Sequence, residues 1–507
     1  MPVKIFSAAY FGLQSQIIEI EVKTSFGLKY FEIIGLPDKA VQESKERVIS
    51  AIESSGFLSP HKKPKRVLVS LAPADLKKEG SLYDLPIALG YLLSEGEIHF
   101  NPKGKLIFGE LGLDGSLKKI KGAILFSILA KEKGFSEIIL PKENELEASV
   151  IEGLKVIGVS NLKEAIDYLE GKKKIEPKKI NLENLLLSPK FEIDFSQIKG
   201  QKIAKRALEI STAGGHNVLM VGPPGAGKSL LARSLTSILP PLSFEEILEV
   251  SKIYSLAGLL SEEKPLILHP PFRAPHHTVS EVALIGGGNP ARPGEISLAH
   301  RGVLFLDEFP EFHRDVLESL RQPLEEKKVT ILRAKFSVTL PCAFTLICAS
   351  NPCPCGNFGD PEKICKCSPS QIKKYQRKLS GPIVDRIDLL IEVPSLRFEE
   401  IVGPSLENVE EIRGKIKLAR KIQKERLGKT NSEMDVSEIE KYCQIDEKSK
   451  ILLKKAVDQK KLSMRGYHRV LKVARTIADL EGKEKILFDH VAEALSFRVK
   501  EFSFLEI

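Results

Sequence analysis

At 507 residues the chain is long enough for about three domains. Its 42% apolar and 28% charged composition excludes a disordered chain, and no apolar run nears the roughly 18 residues of a membrane helix, so no membrane partner is expected. The net charge of +9 permits a polyanionic partner without establishing one. Residues 1–13 carry one early lysine and no long apolar core, unlike a secretory signal. Seven cysteines then point to the reducing cytoplasm, where clustered cysteines usually bind metal.

Residues 1–170 read as an α/β domain, with strands at 17–22, 30–34 and 66–71 and a helix at 39–54. Two stretches stand out, P-A-D-L-K-K-E-G-S-L-Y-D-L-P from Pro73 and G-E-L-G-L-D-G-S from Gly109. Together they resemble the Lon-type protease domain, also found attached to some recombination ATPases. The resemblance puts the Lon nucleophile at Leu82 and its partner lysine near Ile124. Without a hydroxyl and an amine there is no Ser–Lys dyad, so a scaffold without peptidase activity is expected. Neighbouring Ser81 is the alternative alignment. Residues 171–190 are charged, proline-containing and non-periodic, which reads as a linker, with lysine contacts to DNA as the alternative.

Residues 191–394 read as the motor. A strand at 218–221 runs into Gly222-Pro223-Pro224-Gly225-Ala226-Gly227-Lys228-Ser229, and a helix is predicted at 230–239. The glycines allow backbone N–H groups to turn inward on phosphates at a helix N-terminus. This pattern predicts ATP, with Lys228 on the β- and γ-phosphates and Ser229 on Mg²⁺. Upstream, F-S-Q-I-K-G-Q (195–201) leads into a helix at 202–213. It resembles the adenine-side segment of AAA+ proteins, which implies Ile198 and Gly200 near the base. The paired His276 and His277 suggest metal, but adjacent side chains diverge and no third ligand is obvious, so an interface or structural loop is expected. A buried strand at 302–308 ends in Asp307, for the Mg²⁺ shell, and Glu308, for polarising water.

A hairpin with strands at 329–332 and 337–340 carries Arg333 and Lys335 at its tip, suited to DNA phosphates, with a plain solvated turn as the alternative. A strand at 344–349 ends near Asn351, which sits where AAA+ proteins place the sensor-1 residue. Cys353, Cys355, Cys365 and Cys367 follow as C-x-C-x₉-C-x-C, which matches a tetrahedral structural Zn²⁺ site, free thiols or a labile disulfide being the alternatives. Cys342, Cys348 and Cys443 read as buried apolar residues. Arg386, in G-P-I-V-D-R-I-D, resembles the arginine that reaches a neighbour's γ-phosphate in AAA+ rings, with an ordinary ion pair as the alternative. From 395 onward the chain is predicted helical (408–426, 435–442, 448–459, 464–481, 488–497), which suits the AAA+ lid. Arg465 is then placed as sensor 2 over the phosphates, with Arg469 as the alternative.

F-R-A-P-H-H-T, G-E-I-S-L-A-H-R-G-V-L-F-L-D-E, L-R-Q-P-L-E-E, N-P-C-P-C-G and Y-H-R-V-L-K-V-A-R-T-I-A-D-L carry a closer resemblance. They resemble the magnesium-chelatase-like AAA+ proteins of the ComM/YifB type, from about residue 1 to residue 500. The resemblance implies an α/β AAA+ core with a helical lid behind a Lon-like domain. It also implies a hexameric ATPase related to minichromosome maintenance helicases, with DNA branch migration as an activity of the group. Single-stranded or branched DNA, bound without sequence preference, is the expected partner. A chelatase-type ATPase remodelling a protein partner is the second hypothesis, and an ATP-dependent protease is disfavoured by Leu82 and Ile124.

Overall fold

In the N-terminal region alternate side chains turn inward, and the sheet follows from that pattern. The computed structural model describes residues 2–178, 192–288, 291–332, 337–360, 363–378, 383–398, 400, 408–459 and 462–498. Strands β1 (Val3–Phe11), β2 (Gln14–Phe26), β3 (Tyr30–Ile34), β4 (Lys65–Ala72), β5 (Lys105–Ile107), β6 (Glu137–Pro141) and β7 (Lys155–Val159) form a seven-stranded sheet. Their order is β3-β4-β2-β1-β5-β6-β7. In β2, Ile18, Ile20 and Val22 are buried between half-buried neighbours, and Val67, Val69 and Leu71 repeat the period in β4. Helices α1 (Lys39–Ser54), α2 (Asp84–Ser94) and α3 (Ala123–Glu132) accompany the sheet. The Asp38 carboxylate caps α1 by accepting from the Val41 amide at 2.8 Å. Arg47 of α1 meets the buried Asp84 of α2 at 2.7 Å, tying the two helices together.

Leu82 and Ile124, where the Lon resemblance would place its dyad, are apolar and buried. Ser81, the alternative nucleophile, donates to Glu110 rather than facing a lysine amine.

The second sheet has five strands, β8 (Val218–Val221), β9 (Phe272–Arg273), β10 (Val303–Leu306), β13 (Thr345–Ser350) and β14 (Leu389–Glu392), in the order β9-β10-β13-β8-β14. All its pairings are parallel, with Leu306 beside Cys348 and Val221 beside Ser350. A separate antiparallel hairpin, β11 (Lys328–Leu332) and β12 (Ser337–Pro341), lies between β10 and β13 in sequence. Helices α4 (Lys202–Gly214), α5 (Lys228–Ser234), α6 (Phe244–Ala257) and α7 (Pro369–Lys378) complete this part. The helix after β8 begins at Lys228, two residues before the predicted start, and gives way to a 3₁₀ turn at Leu235–Ser237. The first turn forms around Lys228 and Ser229, so that its amides face the loop.

The C-terminal part is helical as predicted: α8 (Val409–Leu427), α9 (Val436–Tyr442), α10 (Glu447–Asp458), α11 (Met464–Leu480) and α12 (Phe488–Ser496). Ile416 of α8 and Val470, Ala474 and Ile477 of α11 share one core with Val218, Met220 and Leu389 of the parallel sheet. Cys342, Cys348 and Cys443 are buried, as expected of apolar residues. Among the described residues no helix is long and apolar enough to cross a membrane.

The two sheets are joined through α3. Ile124 packs with Ile247, Val250 and Ile253 of α6, while Leu125 joins the cluster containing Leu219 and Leu304. Burying such side chains contributes about 1.5–3 kcal/mol each. The Gly122 amide donates to the Ser255 carbonyl at 3.2 Å, and the Ser255 hydroxyl donates to the buried Glu147. The β1–β2 turn also presses on the hairpin: a Cβ on Gly12 would lie 2.6 Å from Val338 Cγ1 of β12.

Candidate active site

Parallel strands end with their carboxyl edges on one side, where ligands of open α/β sheets bind. Here the adjacent strands β10, β13 and β8 deliver Asp307, Asn351 and the loop Gly222–Gly227 to that edge. Gly222 is fixed by crowding, since a Cβ there would lie 2.1 Å from the Val393 carbonyl oxygen. Gly227 caps α5 at φ +87°, a left-handed conformation that favours glycine. Pro223, Pro224, Gly225 and Ala226 form the turn between them.

Lys228 is only 8% exposed. Its ammonium donates to the Gly222 carbonyl at 2.6 Å, the Pro223 carbonyl at 2.8 Å and Asn351 Oδ1 at 3.1 Å. Burial pushes its pKa down to about 8, against the pull of Asp307. The Ser229 hydroxyl donates to Asp307 Oδ2 at 2.6 Å. A hydroxyl and a carboxylate beside a phosphate-type loop are the hard oxygen donors that Mg²⁺ takes.

β10 stops at Leu306, short of the predicted end, so Asp307 and Glu308 lie beyond the strand. Glu308 has φ +51°, unusual for a non-glycine residue, and its side chain is 56% exposed. The histidine pair departs from the expectation that the two rings diverge. The His276 and His277 ring centroids are 4.1 Å apart, and His277 Nδ1 lies 3.1 Å from Glu308 Oε2. The loop therefore turns one imidazole onto the carboxylate that ends the acidic strand. Nothing in the local spacing signalled this contact, because the partners are 31 positions apart in sequence.

On the segment 195–201 Ile198 is 4% exposed and belongs to the core, while Gly200 lies against Leu396, whose side chain is 2.7 Å from a Cβ placed on the glycine. Sequence reasoning missed Gln201, whose amide donates to the Pro394 carbonyl at 2.7 Å and the Ala226 carbonyl at 3.4 Å. It ties this segment to the phosphate-type loop and to the end of β14.

Arg386 and Arg465 stand elsewhere. Arg386 precedes β14, and its carbonyl accepts from Asn217, the residue before β8, at 3.0 Å. Both belong to the amino edge of the sheet, Asn217 about 17 Å of strand away from Gly222 at roughly 3.3 Å per residue. Arg386, Arg465, His468, Arg469 and Lys472 line one cavity of about 770 Å³ at that edge. This corrects the placement of Arg465, which does not lean over its own chain's loop, because α11 packs under the amino ends of β8 and β14. Arg469 donates to the buried Asp388 at 2.9 Å. Burial opposes ionisation of Asp388, yet His216, Arg469 and the Asn217 amide hold its carboxyl well below the usual range. Arg386 pairs with Glu325 and Arg465 is exposed.

Cys353, Cys355, Cys365 and Cys367 come together with all four sulfurs within 4.8 Å of one another. Cys353 Sγ lies 3.4 Å from Cys355 and 3.7 Å from Cys365, and Cys355 lies 3.6 Å from Cys365. A tetrahedron with Zn–S bonds of about 2.3 Å has edges of about 3.8 Å, so the donor set fits zinc. Amides of Asn357 and Lys366 hold the Cys355 thiol down to about 6, whereas burial pushes Cys353 up to about 12. The hairpin tip with Arg333 and Lys335 lies outside the described residues.

Comparison with known proteins extends over nearly the whole chain. Family models described as magnesium chelatase, subunit ChlI match residues 194–401, as subunit ChlI of Mg-chelatase residues 20–144, and as the ChlI C-terminal part residues 406–498. The competence protein ComM of Haemophilus influenzae is 42% identical over 97% of this chain and 97% of its own length. The uncharacterized protein YifB of Escherichia coli is 39% identical over 97% of this chain and 96% of its own. A probable DNA helicase MCM9 of Oryza sativa subsp. indica is 25% identical over 39% of this chain and 25% of its own length.

Proposed function

The chain belongs to the magnesium-chelatase-like proteins of the ComM/YifB type, and from that premise we propose that it is an ATP-hydrolysing AAA+ motor working on DNA as a ring of identical subunits. The observation that carries this reading is the division of its polar and charged residues between opposite edges of one parallel sheet. Lys228, Ser229, Asp307, Glu308 and Asn351 gather at the carboxyl edge, and Arg386 and Arg465 at the amino edge. A single chain therefore does not bring its own Arg386 or Arg465 over its phosphate cradle. A second copy, packed carboxyl edge to amino edge, supplies one, and repetition of that contact closes a ring.

In this mechanism the loop amides and Lys228 hold the triphosphate, and Lys228 exchanges its carbonyl partners for phosphate oxygens. Ser229 and Asp307 would hold Mg²⁺, which would supply positive charge beside the phosphates. Glu308 takes the proton of the attacking water, and Asn351 orients that water from the neighbouring strand. Arg386 of the next copy steadies charge at the γ-phosphate, with Arg465 beside it. The residues 1–170 act as a non-proteolytic Lon-like domain and the helices after 395 as the lid. Zinc at the four cysteines is structural, because the protein supplies all its ligands.

DNA is supported as the substrate by the names of relatives, one a competence protein and one a probable DNA helicase. The hairpin β11–β12 runs within a few residues into β13, the strand that precedes Asn351, so a change in the nucleotide site has a short path to it. Branch migration or helicase action on sequence-tolerant contacts is the form we assign. The test is the ATPase rate with and without forked, single-stranded and four-way DNA. Stimulation that falls steeply with salt is expected. Changing Arg333 and Lys335 together to Ala should then weaken it while basal turnover and oligomer size hold. A rate indifferent to every DNA overturns this reading in favour of a protein-remodelling ATPase.

A further inference from the structure

The cysteine cluster stands against the nucleotide site rather than apart from it. Strand β13 ends at Ser350, Asn351 follows with its contact to Lys228, and Cys353 comes two residues later. The next turn, at Gly356, lies on the phosphate-type loop. A Cβ there would lie 2.4 Å from Cδ and 2.6 Å from Cγ of Pro224, and Gly356 has φ +82°, so only glycine fits this approach. Behind it, Gln376 of α7 reaches the Pro352 carbonyl at 3.5 Å.

The cysteine loop has little of its own to hold that position. Cys353 is buried, but Cys355, Cys365 and Cys367 are half-exposed and Ile364 is 87% exposed. An apolar core does not account for its shape, whereas a shared metal does.

We propose that zinc bound by Cys353, Cys355, Cys365 and Cys367 is a buttress of the nucleotide site, so that metal occupancy sets the affinity for the triphosphate. This rests on the zinc reading above and goes beyond it. With the metal in place, Gly356 is pinned against Pro224 and the Asn351–Lys228 pair is held at the strand end. Without it, close thiols are no longer tied, the turn lifts from Pro224, and the loop must be re-ordered each time nucleotide binds. Re-ordering a loop at binding lowers affinity, by on the order of tenfold here.

The experiment compares the full-length protein as purified, the same protein stripped of zinc with a mercurial, freed of the mercurial with excess dithiothreitol and returned to Mg²⁺ buffer, and Gly356→Ala. Zinc is measured by atomic absorption and ATPγS affinity by calorimetry. About one zinc per chain is expected in the native protein, with affinity falling on the order of tenfold after stripping and returning with added zinc. Gly356→Ala keeps all four thiols, so it should keep its zinc and yet bind ATPγS more weakly. Native protein without zinc overturns the metal assignment and the buttress with it. Zinc present, but equal affinity in loaded and stripped protein, overturns the buttress alone. If stripping unfolds the chain, Gly356→Ala decides: wild-type affinity with zinc retained overturns the proposal.

Discussion

The N-terminal sheet and the parallel sheet treat their would-be chemical positions in opposite ways. Leu82 and Ile124, where the Lon resemblance would place its dyad, are apolar, and Ile124 is part of the contact with α6. At the edge of the parallel sheet the costly features remain. Lys228 is buried with a lowered pKa, Glu308 holds a left-handed backbone, and Ser229 spends its hydroxyl on a carboxylate. Buried charge and backbone strain cost stability and persist where something else depends on them. A position without chemistry relaxes to apolar contact.

The sharpest way to break this contrast is at the phosphate-type loop. Lys228→Ala should abolish nucleotide binding, whereas Glu308→Gln should bind ATP and turn it over very slowly, as read by calorimetry and phosphate release. Full turnover in the Glu308 variant would remove it from the role of base. Arg386→Ala should lose on the order of 10³-fold in turnover. Mixed with Lys228→Ala subunits it should regain part of the activity, since mixed rings assemble intact sites. No rescue at any ratio would count against a shared site.

Stability measurements sharpen the other side. Ile124→Asp puts an unpaired charge among Val250 and Ile253 and should cost about 3–5 kcal/mol in denaturant unfolding. An unchanged midpoint would mean that α3 does not dock on α6 in solution. The two arginines of α11 should also part company. Arg469→Ala leaves Asp388 buried without its closest cation, and a loss of about 3 kcal/mol is expected. Arg465→Ala, at an exposed position, should leave the melting point alone and lower turnover instead. The smallest effect is predicted for Ser81→Ala, within about 0.5 kcal/mol and without any change in casein cleavage, which should be absent throughout. Cleavage lost on that substitution would restore the protease reading.

Much of the candidate site was legible because its chemistry fixes residue types at short spacing. Gly222 to Ser229, the apolar run that leads to Asp307 and Glu308, and the C-x-C pairs are local statements, and local backbone geometry carries them into space. The same locality set the expectation of no Ser–Lys dyad, since Leu82 and Ile124 offer neither hydroxyl nor amine whatever surrounds them. Strands and helices with a clear period were likewise found within a few residues.

Tertiary structure decided which distant segments meet. His277 reaches Glu308, Gln201 reaches Ala226, and Gly356 lies against Pro224 across separations that no periodicity records. Arg465 shows the same limit from the other side. Its motif placed it on the first turn of α11, but only the seating of α11 beneath the amino edge of the sheet set it beside Arg386. Residue type and spacing govern what a segment can do, because bonds along the chain are short and stiff. Strand order and the burial of apolar faces govern whom it meets, because those contacts are settled by the whole core at once.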